Sequence, residues 1–195
     1  MTSSDEKKKY ILDHERKFAA QLGRAIMHKP KLSSWMVLIP FIFIFYFQDL
    51  SKYKKGRQEF SENYLLSRTK ALKEAEEALA EHREHDTLVI ARQAEAELSP
   101  EGQEKYSELL AVLAEHYSSL LQADGDSYEE LLQAAYRRKK SYLSYLDQLA
   151  MTEKALNKAL RPELAESVED VNEIVSSIEK HSTIIRRADA KEFFA

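Results

Sequence analysis

Leu32-Ser33-Ser34-Trp35-Met36-Val37-Leu38-Ile39-Pro40-Phe41-Ile42-Phe43-Ile44-Phe45-Tyr46-Phe47-Gln48 is a run without a charge, in a chain of which 32% is charged. A helix that crosses a bilayer needs about 20 mostly apolar residues, with a range of roughly 17–25. Counted end to end, the run just reaches the lower bound, and its apolar core, Trp35 to Phe47, falls short of it. It therefore stands at the boundary between a short spanning helix and a segment inserted into one face of a membrane. Trp35 and Tyr46 lie near its two ends, where amphipathic rings favour the membrane–water interface. Pro40 stands at its centre, and a spanning helix tolerates proline there.

Basic residues border the run on both sides, Lys17, Arg24, Lys29 and Lys31 before it and Lys52, Lys54, Lys55 and Arg57 after it. Arg24, Lys29, Lys31, Lys52, Lys54, Lys55 and Arg57 are the candidate lipid-headgroup contacts. Four against four gives the positive-inside rule nothing to choose between. An N-terminal tail with eight Lys and Arg resists transfer, whereas a long domain behind an anchor translocates largely regardless of charge. The favoured expectation is a single-pass protein of the cell (inner) membrane, with a cytoplasmic N-terminus and residues 58–195 on the far side. The alternative is monotopic insertion into the cytoplasmic face, the run bending at Pro40. The run begins too late for a secretory signal peptide, and no small-residue cleavage site follows it.

Outward from the run, the chain reads as all-α. Of 195 residues only four are Gly and four Pro, too few turns for a sandwich or barrel. Cysteine is absent, which excludes disulfides, thiolate metal sites and Cys nucleophiles. Residues 1–57 hold 12 Lys and Arg against 5 Asp and Glu, and residues 58–195 hold 17 against 28. The expected division is a basic amphipathic segment 1–31, a membrane segment 32–50 and an acidic helical bundle 51–195. The first four residues carry no pattern and are expected to lack order. From Asp5 to Met27, Ile11, His14, Phe18, Leu22, Ala25 and Ile26 share one helical face, which suits a helix lying in the headgroup region or, as the alternative, a short helix packing on the protein's own bundle.

Four bundle helices follow, at about 50–98, 100–122, 127–160 and 163–186. Leu65, Leu72, Ala75 and Leu79 mark the first. Ser99-Pro100 gives the second an N-cap and a first-turn proline, and its stripe is Tyr106, Leu110, Leu113, Tyr117 and Leu120. Tyr128, Leu132, Ala135, Lys139, Tyr142, Leu146, Leu149, Glu153, Leu156 and Leu160 mark the third. Arg161-Pro162-Glu163 predicts a joint, and Leu164, Val168, Val171, Val175, Ile178, Ser182 and Ile185 mark the fourth. Spacing of three and four residues is that of coiled-coil-like packing, and short connections make neighbours antiparallel.

The motif search finds no phosphate loop, no nucleophile elbow and no His-Glu-x-x-His. No His has a Glu three positions before it, which removes the helical di-iron motif. Glu81, His82, His85 and Asp86 would fall on adjacent turns of one helix and are the metal candidates, but a solvated charged face is the simpler account and no metal is expected. Asp124-Gly125-Asp126 reads as a turn rather than a calcium loop. Arg137-Arg138-Lys139-Lys140 reads as exposed charge paired with Glu on a neighbour. No catalytic residue, cofactor, small-molecule substrate or nucleic-acid partner is expected. The expectation is a non-enzymatic, membrane-anchored scaffold or interaction protein that contacts lipid and either joins a larger assembly or forms a homo-oligomer. The alternatives are a ligand-sensing bundle that signals through a separate protein, and a membrane-shaping protein.

Overall fold

The computed structural model describes residues 2–27, 56–94, 98–165 and 171–195, and every regular element among them is an α-helix. The apolar run, its membrane residues Trp35 to Phe47, and Lys29, Lys31, Lys52, Lys54 and Lys55 lie outside the described residues. No described helix is long and apolar enough to cross a membrane.

Helix α1 (Ser4–Met27) opens on a reciprocal cap. The Ser3 hydroxyl oxygen accepts from the Glu6 N–H at 3.3 Å, and the Glu6 carboxylate accepts from the Ser3 N–H at 2.9 Å. The Thr2 hydroxyl reaches the Gly125 carbonyl at 2.9 Å and the Asp126 carboxylate. Residues 2 and 3 are thus tied down, contrary to the expectation of a structureless start. For the α1 stripe the bundle-packing alternative holds over the headgroup reading. Ile11, Phe18, Ala19, Leu22 and Ile26 are buried, and they pack against protein rather than headgroups. A stripe that already faces four other helices has no apolar surface left for lipid.

Helices α2 (Gly56–Glu81) and α3 (Thr87–Ala94) replace the single helix expected over 50–98. The break falls at His82, whose φ is 52°. A right-handed helix has no place for a positive φ. Helix α4 (Pro100–Gln122) has the expected bounds. Ser99 accepts from the Gly102 N–H at 3.2 Å, and Pro100 fills the first turn. Both are favoured helix-start chemistry. Helices α5 (Tyr128–Tyr136) and α6 (Lys139–Ala165) replace the third expected helix, with the break at Arg137, φ 58°. Ser127 caps α5 through the Glu130 N–H. Pro162 does not make the expected joint, since α6 runs through it to Ala165. The proline removes a hydrogen bond only from the carbonyl of exposed Lys158, close to the helix end. Helix α7 (Val171–Phe193) starts and ends later than expected.

Five helices close a ring in the order α1, α2, α4, α6, α7, with α3 outside against α4 and α5 across one end. Lys8 pairs with Glu76, and the Phe18 and Tyr64 rings lie 5.4 Å apart, so α1 and α2 are antiparallel. Lys7 Nζ donates to the Leu121 carbonyl at 3.0 Å and Tyr117 reaches Glu15, so α1 also opposes α4. The neighbours α2 and α4 therefore run parallel, because α3 carries the chain back between them. This is the one departure from the expected antiparallel order around the ring. The expected stripe of α4 is buried throughout: Tyr106, Leu110, Leu113, Tyr117 and Leu120.

Leu22 is fully buried on α1. Replacing it with Ala is expected to cost about 2–5 kcal/mol, read as a lower midpoint of chemical unfolding. An unchanged midpoint would show that α1 does not belong to the cooperative core.

Candidate functional site

The axis of the ring is polar. Glu153 sits at a stripe position of α6 and places its carboxylate there, with its side chain 10% exposed. Arg68 Nη2 of α2 donates to Glu153 Oε1 at 2.8 Å. Arg186 of α7 approaches as a fork, Nη1 to Oε2 at 2.6 Å and Nη2 to Oε1 at 2.7 Å. Such two-pronged, charge-assisted pairs are the strong and geometrically specific ones. Glu15 of α1 accepts from the Tyr117 hydroxyl of α4 at 2.8 Å and lies 4.0 Å from Arg68 Nε. The Arg68 guanidinium lies over the Tyr64 ring at 3.9 Å, and that of Arg186 over the Phe18 ring at 5.0 Å. Both are within reach of a cation–π attraction. One network thus takes a member from each of the five ring helices, and its two cations match its two anions.

Towards the α5 end the axis becomes aromatic. His14 stacks on Tyr128 at 3.8 Å, and His116 stacks on Tyr145 at 4.2 Å. His116 Nδ1 and the Tyr136 hydroxyl are 2.8 Å apart. Between the two zones is a cavity of about 20 Å³, bordered by His14, Glu15, Arg68, His116, Tyr142 and Asp189 among others. That is room for about one water molecule.

Burial sets the proton affinities. It drives His116 down to about 3 and lowers His14, so both imidazoles are neutral at pH 7. It raises Tyr64 to about 12 and Asp189 to about 6. Burial also opposes charge on Glu153, but Arg186 and Arg68 outweigh it and hold that carboxyl below its ordinary value.

The expected metal candidates do not share a helix face. Glu81 ends α2, and His82, His85 and Asp86 lie in the turn beyond it. Arg83 occupies Glu81 at 2.6 Å and Glu74 at 2.5 Å, and His85 lies 3.4 Å from Ser118. Among the described residues no group of three or more potential ligands could hold a metal. Of the headgroup candidates, Arg24 is exposed in the last turn of α1, and Arg57 lies in the first turn of α2. Arg137, Arg138 and Lys140 are exposed, and no ion pair among the described residues engages the block Arg137–Lys140, so the Glu partners expected for it are not found.

Arg68 escapes sequence reading. The buried stripe of α2 is Tyr64, Arg68, Ala71, Ala75 and Ala78, which has the spacing of four and three but carries a cation at its second place. The stripe anchored on Leu65 and Leu79 is only half-buried at those two residues. Compared with family models, curated proteins and solved structures, the chain matches none.

Glu153→Gln leaves buried Arg186 without its anion and Arg68 with only the more distant Glu15, and is expected to cost about 3–5 kcal/mol. Asp147→Asn, which breaks the exposed pair with Arg187, is expected to cost about 0–1 kcal/mol. Equal unfolding midpoints for the two variants would refute the role given to the network.

The pH dependence has two opposed parts. As pH falls below about 6.5 the unfolded chain protonates His116 before the folded one does, so stability is complete above 6.5 and lost towards 3. Asp189 acts in reverse. Its folded carboxyl takes a proton near 6 and the unfolded one near 3.8, so acidification across that window stabilises. Loss at Glu153 begins only below about 4.5. Unfolding midpoints between pH 7 and 4 are therefore expected to fall more steeply in Asp189→Asn than in the parent, and less steeply in His116→Gln. Parallel curves for all three proteins would contradict the assignment.

Proposed function

We propose that this protein is a membrane-attached helical scaffold, held at a bilayer by the apolar run and presenting a stiff bundle to a larger membrane assembly or to further copies of itself. The observation that carries this reading is the axial network. Its charged groups engage one another across four ring helices and the Tyr117 hydroxyl brings in the fifth, which rigidifies the body and leaves the outer helix faces for contact. A buried ionic network contributes little net stability for what it costs to desolvate, and is better suited to holding helices in one arrangement. That is the property a scaffold needs.

The sensing alternative draws support from the polar lining of the axial cavity, since His14, Glu15, Arg68 and Asp189 all border it. Its size favours the scaffold, because a ligand larger than one water molecule requires the ring to open.

Solubilised gently from its native membrane, the protein is expected to run as a particle containing several copies, or a fixed companion, around its 22.6 kDa chain. Light scattering with the detergent contribution subtracted reads that mass. A lone monomer without a companion at native abundance would overturn the proposal.

A further inference from the structure

We infer that the apolar run enters and leaves the bilayer through one face, so that the protein occupies a single leaflet with α1 and the rest of the bundle on the same side. The inference rests on the proposed membrane attachment through this run, and it fixes the class of partner as one lipid leaflet.

The pairing of α1 with α2 carries it. Lys8 meets Glu76 at 2.7 Å, Glu15 lies 4.0 Å from Arg68, and the Phe18 and Tyr64 rings are 5.4 Å apart. The residue numbers of these pairs add to 84, 83 and 82, so one antiparallel register runs along the two helices. Carried to the helix ends, that register sets Met27 beside Gly56. The chain leaves and returns at one end of the same bundle. Helix α1 also packs on α4 and α7, with Phe18, Leu22 and Ile26 buried, so it cannot stand apart from them without exposing that stripe.

A single crossing would place α1 and α2 on opposite sides of a hydrocarbon core about 30 Å thick, which the pairing forbids. Two crossings need about 40 apolar residues, more than twice the length of the run. Pro40 divides the run into two equal lengths of sequence, residues 32–39 and 41–48, each too short to cross the core alone. The four basic residues on each flank follow from the same arrangement, since both flanks then face the headgroups of one leaflet. There Lys and Arg are attracted by anionic lipid.

The chain has no cysteine and one tryptophan, Trp35, which allows two independent readouts. Lys9 on α1 and Lys180 on α7 are exposed. Lys9→Cys and Lys180→Cys, made singly, are treated with a membrane-impermeant maleimide in intact cells and again after permeabilisation. Quenching of Trp35 by brominated acyl chains in vesicles of phosphatidylcholine and phosphatidylglycerol reads insertion separately. The expected result is the same accessibility at both cysteines, together with quenching of Trp35. A cysteine on α1 and one on α7 that label from opposite sides would overturn the one-face topology while leaving attachment intact. Unquenched Trp35 in a protein that alkaline carbonate strips from membranes would overturn the attachment itself.

Discussion

The carboxylate of Glu153 is held by two guanidiniums at the axis of a five-helix ring, and the arrangement of the helices depends on it. Three oxygen–nitrogen contacts between 2.6 and 2.8 Å bring α2, α6 and α7 to one point. Glu15 and Tyr117 bring in α1 and α4. An apolar axis would tolerate small slips of one helix along another, because Leu and Ala stripes interdigitate in more than one register. Fork geometry at a buried carboxylate does not, since a shift of one turn strands a charge at a cost of several kcal/mol. The network therefore acts more as a selector of one arrangement than as a source of stability.

The ring also explains why the polar groups are inside. Five helices around an axis leave a wider centre than four, and Ala is the commonest buried residue on α2, at positions 71, 75 and 78. Small side chains on that wall leave space which Arg68, Tyr64 and the long Arg186 fill from two sides. Near α5 the filling is aromatic, with His14 and His116 stacked on tyrosines. Neutral imidazoles suit that place, because their rings stack and burial has removed their charge.

Much of this architecture is legible in the sequence, and the parts that are not have physical causes. Helix α4 is announced by Ser99-Pro100, and its stripe is buried throughout. The third stripe holds from Tyr142 to Leu160, and it contains Glu153, which reads as an interruption and is the hub. The breaks at His82 and Arg137 are invisible, because each uses a non-glycine residue at positive φ with no proline or glycine to mark it. Arg68 is hidden for a related reason: a cation inside an Ala-rich stripe reads as surface until its anion is known, and Glu153 lies 85 positions away. The α1 stripe is plain as a stripe, but periodicity does not say whether lipid or protein covers it.

Helices α1 and α2 form an antiparallel pair, and the apolar run is the sequence between them. Any force on the run from a membrane loads both helices together, in the same direction, so it does not shear one against the other. It shears the pair against α4, α6 and α7. Four polar contacts lie across that boundary: Arg68 to Glu153, Arg186 to Tyr64, Tyr117 to Glu15, and Lys7 to the Leu121 carbonyl. Arg186 over the Phe18 ring crosses it as well. Within the pair the links are the 4.0 Å approach of Glu15 to Arg68, the part-buried pair of Lys8 with Glu76 and the ring contact of Phe18 with Tyr64. The buried carboxylate of Glu153 joins the two groups, through Arg68 across the boundary and through the Arg186 fork to α7 within the other three.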